Sequence, residues 1–171
     1  MALIVEDGTG KADAESYVSV ADASTYLTAY GEATVWDTKT EGEQEVALRQ
    51  ATRWIEAMFT NRWIGERVQQ LQALGWPRSS AVDQDDWQIG YDSVPVRVVQ
   101  ATAILAVKSL SEELLPDTAA GSGPLKSKAV SAGSVSKSVT FAGVAVPYKV
   151  YTLAQSLLRP LLQPVGVMER G

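Results

Sequence analysis

The chain has 171 residues, enough for one compact domain with a sizeable core, and its 46% hydrophobic and 20% charged content fits a globular chain and excludes wholesale disorder. It holds no cysteine and no histidine, which removes disulfides, thiolate metal sites, a cysteine nucleophile, the commonest general base and any Ser-His-Asp triad, and fits folding in a reducing cytoplasm. The net charge of −5 is unevenly placed: residues 1–116 carry 9 Lys+Arg against 18 Asp+Glu, whereas residues 117–171 carry 6 against 2. A body this acidic does not suit holding nucleic acid by its phosphates. The basic C-terminal part could still bind DNA, or lie on the acidic body of a neighbouring copy and give head-to-tail association.

The N-terminus turns acidic at Glu6-Asp7, too early for a signal peptide. Residues 3–6 read as a short extended segment closed by the turn Asp7-Gly8-Thr9-Gly10, and Ser16-Tyr17-Val18 as a second extended piece. Ser19 followed by Asp22 predicts a capped helix from Val20 to about Tyr30, stopping at Gly31. Thr40 and Glu43 form a better capping box, opening a helix from Glu41 to about Phe59 with Ala47, Ala51, Trp54, Ile55 and Met58 on its apolar face and Arg49, Arg53 and Glu56 largely opposite.

Two stretches then combine aromatics, arginines and backbone breakers: Asn61-Arg62-Trp63-Ile64-Gly65-Glu66-Arg67 and Leu71-Gln72-Ala73-Leu74-Gly75-Trp76-Pro77-Arg78. They read as a fixed structural corner, with Pro77 holding Trp76 extended and with Arg62, Arg67 and Arg78 suited to aromatic stacking and carboxylate pairing. Trp54 and Trp63 fall at positions expected to be buried, so the tryptophans read as core or subunit-interface residues before they read as a stacking platform for single-stranded nucleic acid. An acidic loop, Val82 to Asp92, follows.

Pro95 opens the next helix, predicted to run to Leu115 before Pro116 stops it. Val98, Val99, Ala101, Ile104, Leu105, Ala106, Val107 and Leu110 make it apolar almost all round, the mark of a central buried helix of about 30 Å. Pro95, Arg97, Gln100 and Lys108 interrupt it too often for a membrane span. Residues 117–136 are rich in Gly, Ser, Ala and Lys and read as flexible. The alternation from Ser134 to Phe141 predicts a strand, paired across Ala142-Gly143 with Val144-Ala145-Val146. A last short helix from Tyr151 to about Leu162 carries Leu153, Leu157, Leu158 and Leu161 on one side, with Pro160 kinking or ending it. The expected fold is thus mainly α. A small bundle of about four helices (1–116 and the short helix and tail of 151–171) carries an extended arm or β-hairpin, 117–150, between the central and last helices.

The chemical signals are weak. Gly8-Thr9-Gly10-Lys11 lacks the spacing and the hydroxyl residue of a phosphate loop, since Ala12 follows, and reads as a tight turn. Ser134-Val135-Ser136-Lys137 matches an acylating Ser-x-x-Lys pattern by letters alone, in a strand or linker and without companion motifs. Asp83, Asp85, Asp86 and Asp92 lack the glycine and closing glutamate of a calcium loop, and Glu112-Glu113 point in different directions on a helix. These readings assign no catalytic residue, cofactor or metal.

Six segments in order carry a resemblance: Ala2 to Gly10, Ala14 to Ala23, Ala47 to Thr52, Arg62 to Arg67, Gln72 to Arg78 and Val94 to Ala101. Together they resemble the head–tail connector (adaptor, head-completion) proteins of tailed bacteriophages, over about residues 2–115; related phage sequences often bear the label DnaT-like single-stranded-DNA-binding protein. The resemblance implies a non-enzymatic helical subunit of a ring, usually a dodecamer, beneath the portal protein. A tail-side neck or tail-completion protein would follow below, DNA would pass through without specific binding, and no membrane would be involved. The protein would be made in the host cytoplasm and reside in the virion at the head–tail junction. On this reading Arg62, Trp63, Arg67, Trp76, Pro77 and Arg78 shape the corner. Lys126, Lys128, Lys137 and Phe141 belong to an arm that grips the portal or a neighbouring subunit. The alternative is a single-stranded-DNA-binding module using the basic C-terminal region and exposed aromatics; a carboxylate–metal enzyme is a third reading.

Overall fold

Two side-chain caps start the fold where free helical amides need acceptors. In the computed structural model, which describes residues 2–115, 125–131, 136–141 and 150–163, Ser19 is extended and its Oγ accepts from the Asp22 amide at 3.1 Å, opening helix α1 (Val20–Ala29). Asp22 puts a negative charge on the first turn, at the positive end of the helix dipole. Helix α2 (Glu41–Phe59) opens on the reciprocal bonds of a capping box: Glu43 N–H donates to Thr40 Oγ1 at 3.4 Å and Thr40 N–H to Glu43 Oε2 at 2.9 Å. Both starts fall where the sequence predicts them.

The buried face of α2 comprises Gln44, Ala47, Leu48, Ala51, Thr52, Trp54, Ile55 and Phe59. Met58 is only half-buried and Arg53 exposed. Between α1 and α2 a single 3₁₀ turn, Trp36–Thr38, escapes the sequence reading. It buries Trp36 completely, with the indole N–H donating to Ser24 Oγ at 2.8 Å and the carbonyl accepting from Gln44 Nε2 at 2.9 Å.

Helix α3 (Val96–Ser109) is the central element and packs against α1, α2 and a fourth helix, α4 (Thr152–Leu158). Val98 and every residue from Ala101 to Ala106 are buried. The helix is shorter than predicted. Ser109 Oγ bonds the Ala106 carbonyl at 2.8 Å, and the Ser111 and Glu112 amides both return to the Lys108 carbonyl, so the chain leaves the helix by a tight turn. The apolar run continues to Leu115 because Leu114 is buried from that turn, not because the helix goes on. At about 1.5 Å per residue, α3 spans about 21 Å.

Helix α4 passes into a 3₁₀ turn, Arg159–Leu161, with Pro160 near its start, where a missing N–H costs least. Its inward residues are Ala154, Leu158 and Leu161; Leu153, expected on that side, is 53% exposed. The C-terminal segment returns to the corner. Ile64 N–H donates to the Leu161 carbonyl at 3.1 Å and Gln163 N–H to the Arg62 carbonyl at 2.6 Å.

The chain divides into two compact units, one ending at Leu114 and resuming at Tyr151, the other running from Leu115 to Val150. In the second unit strand β3 (Leu125–Ser131) pairs antiparallel with β4 (Ser136–Phe141). The register sets Lys128 opposite Val139, Val130 opposite Lys137 and Leu125 opposite Phe141, with an irregularity between Leu125 and Ser127. The predicted strand therefore exists, but its partner is the upstream Lys/Ser segment that reads as flexible, and the expected partner Val144-Ala145-Val146 lies outside the described residues. Among the described residues the protein is a small, mainly helical domain: four α-helices with a two-stranded antiparallel hairpin. A further two-residue pair, β1 (Glu66–Arg67) with β2 (Arg78–Ser79), ties the corner.

Candidate functional site

The corner assembles from five segments: the piece around Tyr17, the end of α2, residues 61–67, residues 72–79 and residues 161–163. Trp63 and Trp76 are 1% and 0% exposed and meet edge to face with centroids 6.0 Å apart, while Phe59 lies 5.9 Å from Trp63 and 5.8 Å from Trp54. Such geometry matches the quadrupoles of the rings and adds to the large area they bury. Pro77 is also buried, after a cis Trp76–Pro77 bond. Gly75 admits Trp63, because a Cβ there would stand 2.5 Å from its indole nitrogen. Among the described residues neither the Trp63 nor the Trp76 indole N–H has a hydrogen-bond partner.

Tyr17 locks this cluster from the N-terminal segment. Its buried hydroxyl donates to Glu56 Oε1 on α2 and accepts the Gly75 amide at 2.9 Å and the Trp76 amide at 3.3 Å. Burial first, and then the Glu56 charge, pushes the Tyr17 phenol pKa well above its ordinary value of 10.0. Gln72 closes the same loop, its Nε2 donating to the carbonyls of Leu74 and Pro77 at 2.8 and 3.1 Å.

Arg78 acts differently from its sequence reading. It pairs with backbone carbonyls rather than with carboxylates or ring faces: Nε with Ile64 at 2.7 Å, Nη1 with Gly75 at 3.1 Å and Nη2 with Gly65 at 2.6 Å. The planar fork thus joins both arms of the corner through three donors. Burial, and next the Arg67 charge opposite it, draw the Arg78 pKa below its ordinary value. Arg62 is exposed and sits 5.9 Å from the Phe59 ring, the stacking expected of it; Arg67 is exposed on β1. Lys126, Lys128, Lys137 and Phe141 occupy the hairpin strands β3 and β4. The corner residues are therefore brought together as an internal joint, and Arg62 and Arg67 lie on its solvent side.

The glycine turn near the N-terminus is filled by the chain itself. Amides of Gly8 and Gly10 donate to Glu6 Oε1, and that of Lys11 to Glu6 Oε2, all at 2.9 Å; Glu6 is 3% exposed. This amide cradle has the chemistry of an anion nest, and its anion is an internal carboxylate. Sequence reasoning identified the turn but not Glu6, whose signal was an acidic residue just before the glycines.

The acidic loop is ordered by Asp83, whose Oδ1 accepts the Asp85 amide at 3.0 Å and the Trp87 amide at 2.9 Å. Trp87 itself is 74% exposed. Beside the loop is an open groove of about 270 Å³ lined by Asp83, Asp85, Ile89, Pro95, Val96 and Arg97, together with neighbouring residues. Among the described residues no cluster of acidic side chains has the arrangement of a metal site, and no helix is long and apolar enough to cross a membrane.

No curated protein and no solved structure matches the chain. A family profile matches it from residue 1 to residue 171. The chain belongs to the family described as "Putative DnaT-like ssDNA binding protein".

Proposed function

We propose that the chain is a non-enzymatic structural subunit of a phage head–tail connector ring, docking on the portal and continuing the DNA channel toward the tail. The observation that carries this reading is the fate of the tryptophans. Trp36, Trp54, Trp63 and Trp76 are buried in the helical unit, and Trp87, the fifth, is exposed beside Asp85 and Asp86. A single-strand platform needs exposed rings interleaved with cations, whereas a wall past which DNA slides is better acidic. The likeness to connector sequences over about residues 2–115 supports the same reading. So does the charge division, because a ring requires one face of a copy to fit a different face of the next.

Mixing the purified chain with portal protein tests it. Joint sedimentation and ring-shaped particles are the expected result; a chain that stays monomeric with portal present, its 117–150 region open to protease, would overturn it. The family description favours a second reading, binding of single-stranded DNA, for which Lys126, Lys128 and Lys137 on the hairpin supply cations. That reading requires a gel shift that weakens steeply with salt, and no shift at low salt removes it.

A further inference from the structure

We infer that the surface of the Val82–Val96 loop is the docking face for the lysine-bearing strands β3 and β4 (Leu125–Ser131 and Ser136–Phe141) of a second copy of this chain. The inference deepens the ring reading above and rests on it. Trp87, Tyr91 and Val96 are 74%, 62% and 67% exposed within ten residues of chain. Large apolar side chains grouped in this way mark interaction surfaces, and tryptophan and tyrosine are the residues that most often anchor them. The loop is already rigid: besides the two amides held by Asp83, the Asp83 amide donates to the Trp87 carbonyl and that of Ile89 to the Ala81 carbonyl, both at 2.9 Å. A partner therefore meets a loop whose backbone is already set, so little main-chain entropy is lost on binding.

Charge selects the occupant. Asp85, Asp86 and Asp92 are exposed, with no ion pair among the described residues, and the adjoining groove sets Asp83 and Asp85 against one cation, Arg97. The hairpin has the opposite sign and a matching alternation. Its register places positions 128, 130, 137, 139 and 141 on one face, two lysines among Val130, Val139 and Phe141. Among the described residues this two-stranded sheet also keeps two unpaired edges, which association can cover.

The test uses equal amounts of isotopically heavy and light full-length chain, treated with a zero-length carbodiimide. Links from Asp85, Asp86 or Asp92 to Lys126, Lys128 or Lys137 should join heavy to light chains. Trp87→Ala, and separately Asp85→Lys with Asp92→Lys, should each weaken self-association by roughly tenfold or more while leaving the melting curve unchanged. Lys128→Glu with Lys137→Glu should restore binding to the charge-reversed partner. Links confined to single chains, or association indifferent to these variants, would overturn the inference. If the variants still form rings on portal, the docking face is wrong and the connector reading stands; a wild-type chain monomeric both alone and with portal overturns both.

Discussion

The corner at 61–79 and the loop at 82–92 are built from the same kinds of residue, and they end in opposite places. Each has tryptophan, charge and a breaker within a few positions. In the corner, Trp63 and Trp76 are sealed by groups from distant parts of the chain: Tyr17, Glu56 and Leu161. In the loop, the hydrogen bonds that hold Trp87 among the described residues come from Asp83, four residues away, and its ring stays in solvent. Local composition marks a place where the chain turns; long-range partners decide whether the ring at that place belongs to the core or to an interface.

The largest expected effect falls on the corner. Trp76→Ala should lower unfolding free energy by about 3–5 kcal/mol in a urea titration, since a fully buried ring leaves a cavity that its neighbours fill only in part. Arg78→Ala should follow at about 2–3 kcal/mol, because three carbonyls lose a charged donor, and Arg78→Lys should rescue only a fraction, lacking the planar fork. Tyr17→Phe should cost about 1–3 kcal/mol by leaving the Gly75 and Trp76 amides without their acceptor.

Tyr17 also sets a pH dependence. Its folded pKa is raised, so its contribution is whole below pH 10.0, the ordinary phenol value. As pH climbs past that value the unfolded chain releases the phenol proton first, and stability falls. Urea titrations on either side of that pH should show the slope in wild type and lose that part of it in Tyr17→Phe. The smallest effect should come from Trp87→Ala, within about 0.5 kcal/mol for the isolated chain, and a larger loss there would erase the contrast between the two regions.

What the sequence made legible was whatever the chain settles locally. Ser19 with Asp22 and Thr40 with Glu43 cap helices through contacts three residues apart, so α1 and α2 begin where their letters say. The burial of Trp54 and Trp63 followed from spacing and size. The end of α3 was not legible, because Leu110 and Leu114 continue the apolar pattern while the Ser109 hydroxyl and the Lys108 carbonyl close a turn beneath it. Nor was the β4 partner: Ala142-Gly143 suggests a turn, yet the register joins β4 to a Lys/Ser segment whose composition has little strand character. Arg78 shows the same limit. Its charge predicted carboxylates, and three main-chain oxygens brought close by folding took their place.

The route of the backbone has a mechanical consequence. The segment from Leu115 to Val150 leaves the helical unit after Leu114 and the chain rejoins that unit at Tyr151, so it is an insertion with two roots. A cut anywhere inside it would yield two polypeptides on a denaturing gel but one particle on a native gel. The fragments would remain gripped through α3 against α4 and through the Gln163–Arg62 clasp. Any load pulling on the insertion would likewise be shared between both roots.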